Sequence, residues 1–286
     1  MMGIAGDGTD IAEPNFMNAD HSRPPPPARQ RGLVADALIV AAVLGGLLYV
    51  VLTGAAAMRY RWQWYRVPVF FGRIVDGEFI PGPLLRGLEV TAEIVAWSAV
   101  ITLIAGLATA LLRLSSSWAA RIVATAYLEL VRNTPLLVQI YVFYFVLAPI
   151  LGIPRFWVGV LALSLFEATF AAEVFRGSIQ AVPRGQIEAA RAMGLSAFQA
   201  MRRVVLPQAL PLMLPPLTGV LVNLVKHSAI VSVIAIADLA TEGRNLISDT
   251  LMSFEIWLTV AAVYLAITIP LSTAAQTLEN RLMAGR

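Results

Sequence analysis

The sequence predicts an all-α polytopic membrane protein with about six transmembrane helices, and three observations support this class. Of its 286 residues, 58% are hydrophobic and only 14% are charged, so an aqueous domain of this composition would expose large apolar patches. Several apolar segments are long enough to cross about 30 Å of hydrocarbon. A single amphipathic, arginine-rich stretch, residues 183–208, lies between two of them.

Taken in order, the chain divides into four parts. Residues 1–32 are polar and include four consecutive prolines, which predicts a disordered cytoplasmic tail. Residues 33–57 form an apolar run longer than a cleaved signal needs, so we expect an extra N-terminal transmembrane helix. Residues 58–83, rich in tryptophan and tyrosine, are predicted to be a periplasmic loop. Residues 84–283 are predicted to hold the remaining spans.

Proline and paired charges give local predictions within the third span. Pro135 is expected to kink that helix, because proline removes one hydrogen bond of the helical ladder. Glu129 and Arg132, three residues apart, are expected to form a structural ion pair at the kink.

The arginine-rich stretch predicts a helix–turn–helix hairpin at a membrane surface. Its apolar residues recur at steps of three and four, which places them on one helical face. Gly194 can take the left-handed conformation that ends a first helix. Ser196 and Gln199 have the spacing of a capping box that begins a second helix. Pro207 is expected to close the unit.

The composition also excludes several activities. The chain has no cysteine, which removes disulfides and thiolate metal sites. Its only lysine, Lys226, does not follow a glycine-rich loop, so the chain cannot hydrolyse ATP through a P-loop. With His21 and His227 as the only histidines, no catalytic residue, metal site or cofactor is predicted.

Two motifs resemble those of a known family. The pattern Glu188-Ala-Ala, Gly194 and Leu206-Pro207 resembles the EAA loop of ABC-importer permeases. Residues 132–139, Arg-Asn-Thr-Pro-Leu-Leu-Val-Gln, resemble the signature of permeases for polar amino acids. The resemblance implies a type I, MetI-like permease bundle in which residues 183–208 couple to the ATPase. The coupling residues carried over by the motif are Glu188, Ala189, Ala190, Gly194, Leu206 and Pro207.

The same resemblance implies partners and a location. The chain would be the transport subunit, and not the enzyme, of an ATP-driven importer of polar amino acids in the bacterial inner membrane. It would pair with itself or with a sister permease, and bind ATP-binding cassette subunits and a periplasmic amino-acid-binding protein. Membrane lipid surrounds it, and no nucleic-acid partner is expected.

Ionisable and polar side chains within the spans are candidates for the substrate path, because burying them in a membrane is costly. Asn223, Lys226 and His227 lie at i, i+3 and i+4 and are expected to share one face. Lys226 either attracts a substrate carboxylate or pairs with Glu167 or Glu173. Glu167 and Glu173 are also candidates for the path, since either carboxylate could bind a substrate ammonium instead of a structural partner. Thr134 is a further candidate for the path.

Arginine excess predicts the orientation, with residues 113–121 and 176–203 in the cytoplasm and 238–255 outside. Residues 58–86 conflict with this rule, since they carry five arginines yet fall outside. No further span there is long enough to change the parity.

Two other classes of function compete with an importer subunit. A stand-alone secondary transporter or channel could use the intramembrane charges, although it leaves the hairpin without a role and the sequence shows no inverted repeat. A membrane-embedded enzyme is the weakest candidate, since no catalytic constellation is present.

Overall fold

The computed structural model describes residues 33–58 and 60–284. The polar tail predicted for residues 1–32 lies outside the described residues. The chain divides into two units, Met1–Arg61 and Trp62–Arg286. In the first unit, helix α1 spans Leu33–Ala57, and its large apolar side chains from Leu38 to Leu52 are exposed. A helix with this length and apolar surface is suited to a position surrounded by lipid.

The second unit is built from helices, with one small sheet at its start. Its helices are α2 Val67–Phe71, α3 Pro83–Leu114, α4 Trp118–Arg132, α5 Leu136–Tyr141, α6 Ala148–Leu151, α7 Arg155–Gln180, α8 Arg184–Ala192, α9 Ala197–Ala200, α10 Leu206–Ser228, α11 Leu239–Thr250 and α12 Ser253–Ala284. A π-helical turn, Val142–Leu147, joins α5 to α6, and a 3₁₀ segment, Ala229–Ile234, follows α10.

The predicted helical fold is confirmed, with one small β-hairpin added between α2 and α3. Strands β1 (Gly72–Val75) and β2 (Glu78–Pro81) form an antiparallel hairpin in which Ile74 is opposite Phe79. Asp76 and Gly77 both have positive φ, 53° and 85°. An Asp-Gly pair favours this two-residue hairpin turn, because both positions require the left-handed conformation.

Among the described residues, five helical segments are long and apolar enough to cross a membrane, or six if one bent pair counts as a span. The bent pair is Trp118–Arg132 with Leu136–Leu151, and the two parts meet at 107°. The predicted kink at Pro135 is therefore confirmed. The Gln139 amide stabilises the bend, donating to the carbonyls of Val131 (2.7 Å) and Thr134 (3.0 Å). Between α1 and α3, the described residues contain no helix of spanning length, as the topology requires.

Helices α3 and α7 form the centre of the bundle and meet along a seam of small and hydroxylated residues. Ser98 and Thr102 donate across it to the carbonyls of Val160 (3.2 Å) and Ser164 (3.3 Å). One turn further, Gly106 contacts Ala171 so closely that an added Cβ would lie 2.8 Å from the alanine Cβ. Small residues at steps of four let helix backbones approach, which is how membrane helices commonly associate.

Candidate functional site

The arginine-rich stretch is an exposed helical hairpin between α7 and α10. Helix α8 ends before Gly194, whose φ is +82°, and its amide donates to the carbonyl of Arg191 (2.9 Å). Ser196 then caps α9: its hydroxyl accepts from the Gln199 amide (3.3 Å), and its own amide donates to the Gln199 side chain (2.9 Å). The left-handed glycine and the capping box occur where the sequence predicts them.

The proline at 207 does not close this hairpin, contrary to expectation. A π-helical turn, Met201–Val205, follows α9, and Pro207 occupies the first turn of α10. Proline is tolerated at the start of a helix, where the missing N–H has no partner to lose. In the π-helical turn the backbone hydrogen bonds join residues five apart instead of four, and the helix is not broken at Pro207. The second helix of the hairpin therefore continues into the next span, Ala197–Ile234.

The outer surface of the hairpin includes two large apolar side chains that the motif does not contain. Met193 and Phe198, on either side of the turn, are 74% and 73% exposed, and Glu188 is also exposed. Ala190 is buried instead, since Ile187 and Ala190 form the inner face of α8. The Ala190 side chain packs inward and is not part of the exposed surface of the hairpin. The sequence signal that could have identified Met193 and Phe198 is that both are large apolar residues within an otherwise polar stretch.

The remaining residues of the coupling motif lie on the outside of the chain. Ala189 and Gly194 are exposed in the hairpin, and Leu206 and Pro207 are exposed at the start of α10. Below them, a cavity of about 520 Å³ lies between the hairpin and the ends of α3 and α7. The hairpin therefore lies at the same end of the bundle as residues 115–117, which connect α3 to α4.

Glu173 and Thr134 are occupied by contacts within the chain. The Glu173 carboxylate binds Arg113 of α3 and, at 2.6 Å, Arg176 of its own helix. Thr134 donates to the Leu130 carbonyl (2.9 Å) and accepts from Gln139 at the bend. Both side chains therefore connect helical segments of the chain.

The expected ion pair between Glu129 and Arg132 does not form. Glu129 accepts from the Asn133 amide (2.9 Å), and the Arg132 guanidinium lies over the Phe170 ring at 5.5 Å. A separation of three residues in a helix allows an ion pair, but the carboxylate contacts Asn133 and the guanidinium contacts Phe170 instead.

Glu167 pairs with His227, which neither alternative for Lys226 anticipated. The Glu167 carboxylate is 1% exposed and lies 2.5 Å from the Nδ1 atom of His227, while the imidazole packs edge-on against Phe166. The pair joins α7 to α10 at the middle of the bundle. A buried carboxylate requires a hydrogen-bonding partner, and the histidine ring supplies it.

Lys226 points elsewhere, into a groove between α10 and α12. Asn223 and Lys226 share this groove of about 310 Å³, whereas His227 turns towards α7. The expectation that all three side chains share one face is therefore wrong, because consecutive helical residues are about 100° apart. The polar residues of α12 that line the groove are Ser272, Gln276 and Glu279. Lys226 forms no ion pair with Glu167 or Glu173 among the described residues.

In the described part of the chain, no group of three or more histidine, cysteine, aspartate or glutamate side chains could hold a metal ion. Spanning helices with a polar groove, interrupted by an exposed two-helix hairpin, define a multi-pass membrane transport subunit. Residues 99–284 match the family described as the inner membrane component of binding-protein-dependent transport systems. The chain belongs to this family, and it is the permease subunit of an ABC importer.

Relatives and a solved structure agree with this assignment. The probable glutamine ABC transporter permease protein GlnM of Bacillus subtilis is 42% identical over 178 residues, which are 62% of this chain and 82% of the relative. The glutamine transport system permease protein GlnP of Escherichia coli K12 is 35% identical over 198 residues, 67% and 90% of the two chains. A crystal structure of an amino acid ABC transporter with histidines is 38% identical with a TM-score of 0.65, covering 70% of this chain and 94% of that one.

Membership decides between the classes of function left open by the sequence. Proteins of this family are transport subunits, and the ATPase is a separate subunit. The stand-alone transporter and the membrane-embedded enzyme are therefore set aside. The family works with an ATPase and a binding protein.

Proposed function

We propose that this chain is the permease of an importer for polar amino acids in a bacterial inner membrane. Support for the substrate class comes from the relatives that are named as glutamine permeases and from the amino acid transporter of known structure. The observation that carries the mechanism is the exposed hairpin, which continues without a loop into the helix that bears Asn223 and Lys226.

The hairpin is proposed to dock on the ATPase subunit. Met193 and Phe198 supply an apolar tip, and burying such side chains in a partner is favourable by about 1.5–3 kcal/mol each. Glu188 lies on the exposed side of α8 without an ion pair among the described residues, so a basic residue of the motor could pair with it. Gly194 makes the tight turn that holds the tip in place.

The groove between α10 and α12 is the proposed substrate path. Lys226 presents an ammonium group and Glu279 a carboxylate to the same groove, with amide and hydroxyl groups nearby. A zwitterionic amino acid carries the complementary pair of charges. In this proposal His227 and Glu167 support the wall of the path, and Glu173 and Thr134 hold the helices around it.

The assembly is proposed to contain two permease chains, either two copies of this one or this chain with a sister permease. Two ATP-binding cassette subunits would bind the hairpins from the cytoplasm, and a periplasmic amino-acid-binding protein would deliver the substrate from outside. Closure of the motor would move both hairpins and switch the access of the path.

Uptake of a panel of labelled amino acids tests the proposal. Cells that lack this chain regain either the wild type or Glu188→Arg, with expression of each verified. We expect the wild type to restore uptake of one class of polar amino acid and Glu188→Arg to abolish it, because the reversed charge repels a basic partner. Asp249→Arg is the matched control, since it makes the same charge change at an exposed position of α11, at the opposite end of the bundle.

The outcomes separate substrate from mechanism. If Glu188→Arg transports as well as the wild type, the docking role of the hairpin is wrong. If no amino acid is taken up through the wild type, the substrate class is wrong, although the family assignment stands.

A further inference from the structure

The segment before α3 carries a positive charge that its expected position does not explain. Residues 58–86 contain five arginines against two acidic residues, Asp76 and Glu78. Arginine-rich loops normally stay in the cytoplasm, whereas the parity of the spans places this segment outside. The conflict would be removed if these arginines had a binding partner on the outer side of the membrane.

Two of these arginines converge on one cavity. Arg73 of β1 and Arg86 in the first turn of α3 both line a cavity of about 290 Å³. Its apolar walls come from Val69 and Phe70 of α2, Ile80 of β2 and Leu246 of α11. Gly82 makes this arrangement possible, because its α-carbon is so close to α2 that a Cβ would lie 2.2 Å from the Phe70 carbonyl oxygen.

The two guanidinium groups have unused hydrogen-bonding capacity. Both side chains are exposed, and neither forms an ion pair with any residue that the structure describes. Arg86 donates one bond, from Nη1 to the Pro81 carbonyl at 3.3 Å. Arginine has five N–H donors in a planar fork that fits phosphate oxygens, so most of this capacity faces the cavity or solvent.

One acidic group is near enough to influence Arg86. Burial raises the pKa of Glu242 in α11, and the charge of Arg86 acts in the opposite direction. Glu242 does not line the cavity, so the two arginines dominate its electrostatic character.

The position of the cavity favours a lipid over a soluble anion. It lies where α3 begins its crossing of the membrane, and Ile74 and Phe79 project together from the other face of the β-hairpin, 75% and 61% exposed. Nearby, the Trp62 and Trp64 rings stack at 6.2 Å, as aromatic residues do at the headgroup level. Apolar walls beside paired arginines match a phosphate attached to a glycerol backbone.

We propose that this cavity binds the headgroup phosphate of an anionic phospholipid and thereby fixes the β-hairpin to the outer leaflet. The bound lipid neutralises the arginines that would otherwise oppose the placement of this segment outside. Arg73 and Arg86 precede residue 99, where the family match begins. The proposal does not depend on which substrate is transported.

Native mass spectrometry of the purified full-length chain, in complex with its partner subunits, tests the site. Phosphatidylglycerol or phosphatidylcholine is added, and the lipid retained per permease chain is measured. We expect retention of phosphatidylglycerol by the wild type, and roughly tenfold weaker binding or more in Arg73→Ala/Arg86→Ala, because charge-assisted bonds to phosphate are lost. Arg121→Ala, an exposed arginine at the opposite end of the bundle, is the matched control and should retain the lipid.

Three results would overturn the proposal. They are equal retention of phosphatidylglycerol by the double variant, equal retention of phosphatidylcholine by the wild type, and thermal stabilisation of the wild type by inorganic phosphate as large as that by phosphatidylglycerol. The last would indicate a site for a soluble anion. Arg73→Ala alone, on the exposed β-hairpin, provides the same comparison if the double variant does not purify.

Discussion

Glu167 is the buried charge on which the middle of the bundle depends. Its side-chain partner is the imidazole of His227, whose Nδ1 atom lies 2.5 Å from the carboxylate. We expect His227→Ala to lower the free energy of unfolding by about 1–3 kcal/mol, because it leaves a buried carboxylate without that bond. Adding Glu167→Gln to His227→Ala should restore part of the loss, since a neutral amide costs less to bury. Thermal unfolding followed by tryptophan fluorescence measures both.

The informative comparison is between the stability of the double variant and that of His227→Ala alone. If the double variant is less stable than His227→Ala alone, the carboxylate does not need the histidine, and the pair contributes nothing to the fold. Uptake should fall in parallel with stability only if the pair supports the wall of the path.

The sequence identified the right polar residues within the spans but not their partners. Asn223, Lys226, His227 and Glu167 were all candidates, because charge in a membrane is conspicuous. Which of two adjacent residues faces which neighbour depends on the rotation of α10 against α7 and α12. That rotation is set by packing over the whole bundle, which one segment's spacing does not encode.

At the scale of elements, the seam between α3 and α7 depends on the absence of side-chain volume. Gly106→Leu is expected to destabilise the protein by about 1–3 kcal/mol, because the added carbons would overlap Ala171 in a close-packed interface. Gly177→Leu is the matched control: this glycine is also helical, and an added Cβ meets nothing within 4 Å. The midpoint of thermal unfolding in detergent should fall for the first variant and stay constant or rise for the second. Equal effects would contradict the close packing of the seam.

Elements with strong local signals were predictable. The kink at Pro135, the turn at Gly194 and the cap at Ser196 each depend on the chemistry of one or two residues and occur where expected. The effect of Pro207 was not predictable in the same way, because a π turn upstream absorbed it. The β-hairpin had a local signal in Asp76-Gly77, which the strongly apolar helical context on both sides obscured.

At the scale of the whole molecule, the absence of cysteine makes the topology directly testable. Single cysteines at Asp249 and Asn245 in α11 should react with a membrane-impermeant maleimide added to spheroplasts. Cysteines at Ser116 and Gln186 should react only after the membrane is permeabilised, since the arginine excess places them inside. Labelling of Ser116→Cys in intact spheroplasts would invert the orientation and place the hairpin outside.

The approximate number of spans followed from composition and length, because a membrane imposes a hydrophobic thickness that the sequence must match. The order in which helices pack did not follow from composition or length. The central position of α3 and α7 rests on Ser98, Thr102 and Gly106, which are unremarkable as residue types and significant only as a row facing α7.

The helix that leaves the hairpin has one more consequence. Pro211, Pro215 and Pro216 all lie inside α10, so several backbone hydrogen bonds are missing within a short stretch of this helix. A rod with fewer bonds in one stretch bends most easily there. Lys226 is about 40 Å from Ala200 along this rod, at 1.5 Å per residue. A push at the tip would therefore reach Lys226 through a hinge at these three prolines, about midway along the rod.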